Sequence, residues 1–208
     1  TSDIQASGAH QITYASPIAL PVQPRARGRA RVAARVRDGK SVIAGLRQEG
    51  ASKLLFPRGA GTDLSAVLLN SAGGVTGGDQ FETSARVASG AGLVLTTQAA
   101  ERAYKAQPGE IGQITTRLTA APGARLTWLL QETLIYEGAA LRRSLRIRMA
   151  ASTRVLACEV LVMGRTACHE QLTHLQLSDD IDVLRDGHLV LADRLRLRGN
   201  AEDILPGP

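Results

Sequence analysis

The sequence is short of several things that would point directly to a function. Aromatic residues make up 3% of its 208 positions, and Trp128 is the single tryptophan. Nucleic-acid modules stack bases on aromatic rings, so this scarcity argues against a nucleic-acid partner. Cysteine is limited to Cys158 and Cys168. Two cysteines exclude a disulfide scaffold and a cysteine-only zinc site, and they suit a reducing, cytoplasmic setting. Apolar pieces such as Leu93-Val94-Leu95 stop after a few residues, far short of the ~18 that a membrane span needs. No secretory leader pattern opens the chain. Lysine is confined to Lys40, Lys53 and Lys105, so 22 of the 25 basic residues are arginine. The resulting net charge of +6 fits either a phosphate-binding surface or a compositional bias. The chain is also rich in Ala, Leu and Gly, which favours the bias.

What is present is a globular composition, 44% hydrophobic and 21% charged, and a repeated period of two. Arg29, Arg31, Arg35 and Arg37 fall on one parity while Val32 and Val36 fall on the other. That is a strand with one wet face. Asp38-Gly39 follows, then Ser41-Val42-Ile43, a hairpin signal because both turn residues need positive φ. The device returns late: Ile181 and Val183 alternate with Asp180 and Asp182, Asp186-Gly187 turns the chain, and Leu195 and Leu197 alternate with arginines. Between them, Leu145, Ile147 and Met149 alternate with Arg146 and Arg148. A turn leads into a strand at Gly90, Gly123 and Ser152, spaced 33 and 29 residues apart. Such spacing suggests stacked strand layers. Helical signals are scarce. The best is Thr97–Ala106, capped by Thr96 or Thr97, with a strand continuing from Leu95 as its competitor.

These patterns predict an all-β or nearly all-β fold. Its strand layers stack as a β-helix, a solenoid or a sandwich, with few short helices. Residues 1–24, with Pro17, Pro21 and Pro24, read as a flexible arm, and residues 25–208 as a single β-rich domain.

Gly73-Gly74-Val75-Thr76-Gly77-Gly78-Asp79 is the most unusual segment. Four glycines permit positive φ and close backbone approach. A phosphate loop would need a Gly-Lys-Ser/Thr ending, which is absent, and a strand rather than a helix follows. Gly73, Gly74, Gly77 and Gly78 therefore read as a structural loop, and Asp79 as an oxygen ligand or hydrogen-bond acceptor. Glu132 interrupts the apolar stretch Trp128 to Tyr136. Glu159 lies in Val155–Met163, apolar on both parities, where an unpaired buried carboxylate would cost several kcal/mol. Its two explanations are an ion pair, most simply with Arg165, or a place beside a water-filled passage. Cys168, His169 and His174, close to Glu170, form a weaker metal candidate: soft and borderline ligands suit Ni²⁺ or Zn²⁺, but His169 would face away from the other two on a strand. No Ser–His–Asp, Cys–His or paired-carboxylate arrangement stands out, so no enzymatic activity is expected.

The segment Leu68–Asp79 resembles the motif of the urease accessory protein family UreD, also called UreH. The similarity continues in order through Leu95–Tyr104, Trp128–Ala139, Leu141-Arg142-Arg143, Cys158–Ala167 and Asp193–Leu197. Two positions depart from the family pattern: Ser71-Ala72 stand where many relatives have His-Pro, and His169-Glu170 where relatives often have Gly-Glu. The resemblance also implies a family C-terminal segment beyond Pro208. It implies a cytoplasmic, non-catalytic maturation factor. Such a factor binds apo-urease and acts with UreF and the GTPase UreG to deliver nickel, binding no cofactor tightly and Ni²⁺ only in transit. On that basis Asp79, Glu132 and Glu159 are the candidate nickel path. Two other readings remain: a β scaffold that bridges partners without handling metal, and an enzyme that binds a small phosphate compound at the glycine loop.

Overall fold

The computed structural model describes residues 24–59, 61–165 and 170–204, without the side chain of residue 202. The arm expected over residues 1–24 lies almost wholly outside the described residues.

Fifteen strands and one short helix make up the described chain. The strands are β1 (Arg27–Arg37), β2 (Lys40–Gly50), β3 (Ser52–Leu55), β4 (Leu64–Asn70), β5 (Gln80–Val87), β6 (Gly92–Thr97), β7 (Glu101–Ala103), β8 (Gly112–Ala120), β9 (Arg125–Leu129), β10 (Thr133–Ile135), β11 (Ala140–Met149), β12 (Arg154–Cys158), β13 (Leu161–Met163), β14 (Leu175–Arg185) and β15 (His188–Gly199). The helix is α1 (Ala201–Ile204). A seven-stranded sheet has the order β15-β14-β11-β8-β5-β1-β2, a five-stranded sheet β12-β9-β6-β4-β3, and a three-stranded sheet β13-β10-β7.

The chain coils. Each turn lays one strand in the five-stranded sheet, one in the three-stranded sheet and one in the seven-stranded sheet, as in β6-β7-β8, β9-β10-β11 and β12-β13-β14. Neighbouring turns pair in parallel. The turns before β6, β9 and β12 are the recurrence visible in the sequence. The fold is thus nearly all β, a stack of sheets with solenoid winding. Two antiparallel hairpins close the ends of the large sheet, β1–β2 and β14–β15. Asp38 and Gly39 have φ of 51° and 72°, and Asp186 and Gly187 of 47° and 82°, as this turn chemistry requires.

The helix expected over Thr97–Ala106 does not form. That segment ends β6 and becomes β7, whose parallel partner is β10. It lacks a 3.6-residue apolar stripe to stabilise a helix, and pairing along the coil satisfies its backbone instead.

One face of the seven-stranded sheet is covered twice. Small residues on it, Ala30, Ala34 and Ala85, pack against Leu93, Leu95, Leu126 and Trp128 of the five-stranded sheet. Farther along the same strands, Phe81, Leu141 and Leu177 pack with Ala103 and Ile135 of the three-stranded sheet. Between these two apolar cores the covered face turns polar.

A polar cavity between two apolar cores

Alternation on β11 decides what enters that seam. Leu141, Arg143, Leu145, Ile147 and Met149 all point inward and are buried. On the parallel neighbour β14, Asp179 lies directly opposite Arg143, in the inward series Leu175, Leu177, Asp179. The pleat therefore carries a guanidinium and a carboxylate into the interior together.

Arg143 is 5% exposed and Asp179 7%. Arg143 Nη2 donates to Glu159 Oε2 in a close ion pair, and Nη1 donates to Thr133 Oγ1 at 3.1 Å. Its Nε lies 3.6 Å from Asp179 Oδ1. Trp128 Nε1 donates to Glu159 Oε1 at 2.8 Å. Both oxygens of Glu159 are thereby engaged, whereas Asp179 Oδ1 is buried without a hydrogen bond from the described residues. Burial pushes the Asp179 carboxyl above its ordinary range, against the pull of the Arg143 charge and with help from the negative charge of Glu159.

A cavity of about 200 Å³ opens here, with Asn70, Glu101, Trp128, Arg143, Glu159 and Asp179 on its wall. Glu101 comes from β7. Asn70 Nδ2 lies 3.2 Å from each of its carboxylate oxygens. Burial pushes this carboxyl up as well, opposed first by the Asn70 hydrogen bond. Three carboxylates thus share a confined space with the buried Arg143 guanidinium, and Arg102 is also on the wall. Such a set can attract a divalent cation through oxygen donors. Among the described residues, no three His, Cys, Asp or Glu side chains converge into a closed metal cage.

The described residues singled out from the sequence do not converge on this cavity. Glu159 lines it, but its partner is Arg143 and not Arg165. Arg165 instead donates to Glu170 through Nε and Nη2, at 3.0 and 2.9 Å, and its guanidinium lies over the Tyr136 ring, 4.6 Å from the centroid. Nor is β12 a fully buried strand. It is the open edge of its sheet, with Leu156 58% exposed, so apolar neighbours in the sequence were no guide to what surrounds Glu159. Glu132 is not on the cavity wall; its carbonyl accepts the Glu101 N–H at 2.9 Å. Cys168 and His169 lie outside the described residues. His174 is exposed, with Nδ1 3.1 Å from Glu137 Oε1.

The glycine loop forms a corner of the coil. Val75 N donates to Arg102 O at 2.7 Å, and Tyr104 N donates to Val75 O at 2.8 Å, which extends the three-stranded sheet beyond β7. Gly74 lets the strands meet so closely: a Cβ there would sit 2.7 Å from the Arg102 carbonyl oxygen. Gly73 and Gly78 have φ of 78° and 82°. Gly77 faces Glu110, whose Cβ would lie 2.7 Å from an added methyl. Asp79 is buried and its carboxylate accepts the Ala26 N–H at 2.7 Å and the Thr76 N–H at 2.9 Å. It clasps the loop to the start of β1 and is not on the cavity wall. The amides of Gly73, Val75, Thr76 and Asp79 are all engaged within the protein, so they form no open cradle for a phosphate.

Arg143, Asp179 and Glu101 were not singled out from the sequence. A signal existed for the first two. Carrying the Leu145-Ile147-Met149 parity back two residues reaches Arg143, and carrying Ile181-Val183 back reaches Asp179.

The model of the UreD urease accessory protein family matches residues 26–208. The urease accessory protein UreD of Ruegeria sp. (strain TM1040) is 47% identical over 192 residues, 92% of this chain and 64% of its own length. That of Roseobacter denitrificans is 45% identical over 186 residues, covering 89% and 68%. That of Agrobacterium fabrum is 39% identical over 186 residues, covering 89% and 65%. The chain spans about two thirds of the length of these curated relatives. With the profile covering nearly every described residue and these identities sustained along the chain, it belongs to the UreD urease accessory protein family.

Proposed function

We propose that this chain is a cytoplasmic urease maturation factor that binds apo-urease and acts with UreF and the GTPase UreG, and that its interior cavity passes nickel toward the urease active site. The names of its relatives support the maturation role. The observation that supports the passage is the placement of Glu101, Glu159 and Asp179 around one cavity between two apolar cores. Buried carboxylates are costly unless compensated. A divalent cation entering the cavity meets the carboxylate oxygens of Glu101 and Asp179 and offsets the cost of burying them. Arg143 already compensates Glu159 and repels the ion, which keeps the site from closing into a trap. An ion in transit must leave as readily as it enters, so weak carboxylate sites suit the task better than a complete cage. The chain performs no catalysis in this scheme; GTP hydrolysis is left to UreG.

The test is Glu101→Gln, which unlike a change at Glu159 leaves Arg143 its counter-ion, co-expressed with the urease subunits and the other accessory proteins. The expected result is a folded, partner-bound protein whose urease carries less nickel per active site. A stable, partner-bound variant with fully loaded urease would overturn the passage. It would favour a scaffold that only bridges partners, a role to which the exposed Leu156, Val160 and Val162 are suited.

A further inference from the structure

The outer face of the seven-stranded sheet gathers the arginine excess into one region. At a single level across the strands the outward residues are Arg47, Arg31, Ser84, Arg117, Arg146 and Asp182. Arg31 is directly opposite Arg47, and Arg117 directly opposite Arg146. Like charges placed opposite one another weaken a sheet, so folding alone does not account for this row. The adjacent level adds Arg86 and Arg148, with Gly45, Ala33 and Thr119 at the same level. The small residues leave an open groove of about 650 Å³ between the arginine stems.

Among the described residues six arginines line this groove, and Glu82 is the only carboxylate on its wall. Glu82 is already shared among Arg29, Arg31 and Arg117 at 3.2–3.5 Å. Arg146 reaches Asp182 at 2.9 Å, and Arg47 pairs with Glu49. Arg86 and Arg148 reach no carboxylate among the described residues. The side chains of Arg31, Arg47, Arg117 and Arg146 are about half exposed.

We propose that this groove is a docking surface for an acidic segment of a partner protein, bound as an extended chain lying across the strands. Guanidinium groups are planar forks that match carboxylates two bonds at a time. Neighbouring strands lie ~4.8 Å apart, and alternate side chains of an extended peptide repeat every ~6.8 Å. Flexible arginine stems span that difference, so an Asp- or Glu-rich segment meets successive guanidinium groups along the row. A peptide can set neutral residues against Glu82 and Asp182, whereas a nucleic acid brings a negative charge with every nucleotide. Among the described residues the groove wall also has no aromatic ring on which to stack bases. This docking surface lies on the opposite face of the sheet from the cavity and does not depend on nickel transfer.

The test measures binding of a fluorescent peptide of alternating Glu and Ser, long enough to cross five strands, to the whole chain by anisotropy at low and physiological salt. Arg86→Ser/Arg148→Ser breaks no ion pair with a described carboxylate, so the fold survives it. Arg154→Ser/Arg185→Ser removes the same charge elsewhere and is the control. The groove variant is expected to lose affinity by about tenfold with an unchanged melting temperature, and the control by less than about twofold. Equal losses in both variants would reduce the effect to net charge and overturn the proposal. So would failure of the peptide to bind at low salt, or tighter binding of an oligouridylate of matching length.

Discussion

Strand β11 carries four arginines, and its two faces treat them oppositely. Arg142, Arg146 and Arg148 point outward and are exposed, whereas Arg143 points inward and is buried. Inside, Arg143 is fixed by Glu159, Thr133 and Asp179. Outside, Arg146 meets Asp182 and faces a second arginine across the strand pair. The residue type is the same, but water decides its worth. A charge pair in the interior is held to one geometry because losing a partner strands an ion there. A pair on the surface is screened and contributes little. The inner arginine is therefore bound to structure, and the outer ones are free to serve binding.

Arg143→Met should separate the two faces most clearly. It leaves Glu159 and Asp179 without their counter-ion and should cost about 3–5 kcal/mol, read as a drop in the denaturant midpoint. A cost near zero would place Arg143 in effective contact with water and erase the contrast.

A smaller effect is expected from the cycle that combines Arg143→Met with Glu159→Leu. The double variant removes both charges, so it should be more stable than the sum of the single changes implies, by a coupling of about 1–3 kcal/mol. Additive behaviour would mean that the pair does not interact in solution.

The pH dependence of two aspartates should have opposite sign. The Asp179 carboxyl is pushed up by burial, so its folded-state pKa lies above the unfolded one. Its favourable contribution is fully present below the unfolded pKa and is lost as pH rises through the folded one. Asp179→Asn cannot ionise and should gain stability relative to the parent on going from acid to neutral pH. The Asp182 carboxyl is held down by its hydrogen bond to Arg194 and then by that to Arg146. Its contribution is present above the unfolded pKa and disappears as pH falls through the folded one. Asp182→Asn should therefore be less stable than the parent at neutral pH, and the deficit should vanish in acid. Melting temperatures across pH 2–8 for both variants give the two slopes, and slopes of the same sign would contradict the assignment of inside and outside.

The smallest effect is expected for Arg146→Met, whose melting temperature should match that of the parent. A large loss there would show that the outer row is part of the scaffold.

Much of this architecture was legible along the chain. The hairpins at Asp38-Gly39 and Asp186-Gly187 follow from turn chemistry, and the parity of Leu145, Ile147 and Met149 identifies the inner face of β11. The same parity reaches Arg143 and Asp179, yet the runs Arg142-Arg143 and Asp179-Asp180 hide an inward charge beside an outward one. Glu159 was recognisable as an anomaly among apolar neighbours. Its surroundings were not, because Leu156 and Val160 are exposed on an open edge and the carboxylate turns inward only beyond the end of β12. The segment after Thr97 offered local capping residues, and the pairing of β7 with β10 overrode them.

The sequence by itself determined the alternation of wet and dry positions, the two hairpin turns, and the glycines that let Val75 meet Arg102. These depend on side-chain period and allowed φ, which neighbouring residues settle among themselves. Only the tertiary structure decided that Arg143 meets Glu159 and Asp179, that Glu101 joins them around one cavity, and that arginines from β1, β2, β5, β8 and β11 share one groove. Those residues are far apart along the chain. They come together through the register of parallel strands in successive turns of the coil, and that register is fixed by how two apolar cores pack against one sheet.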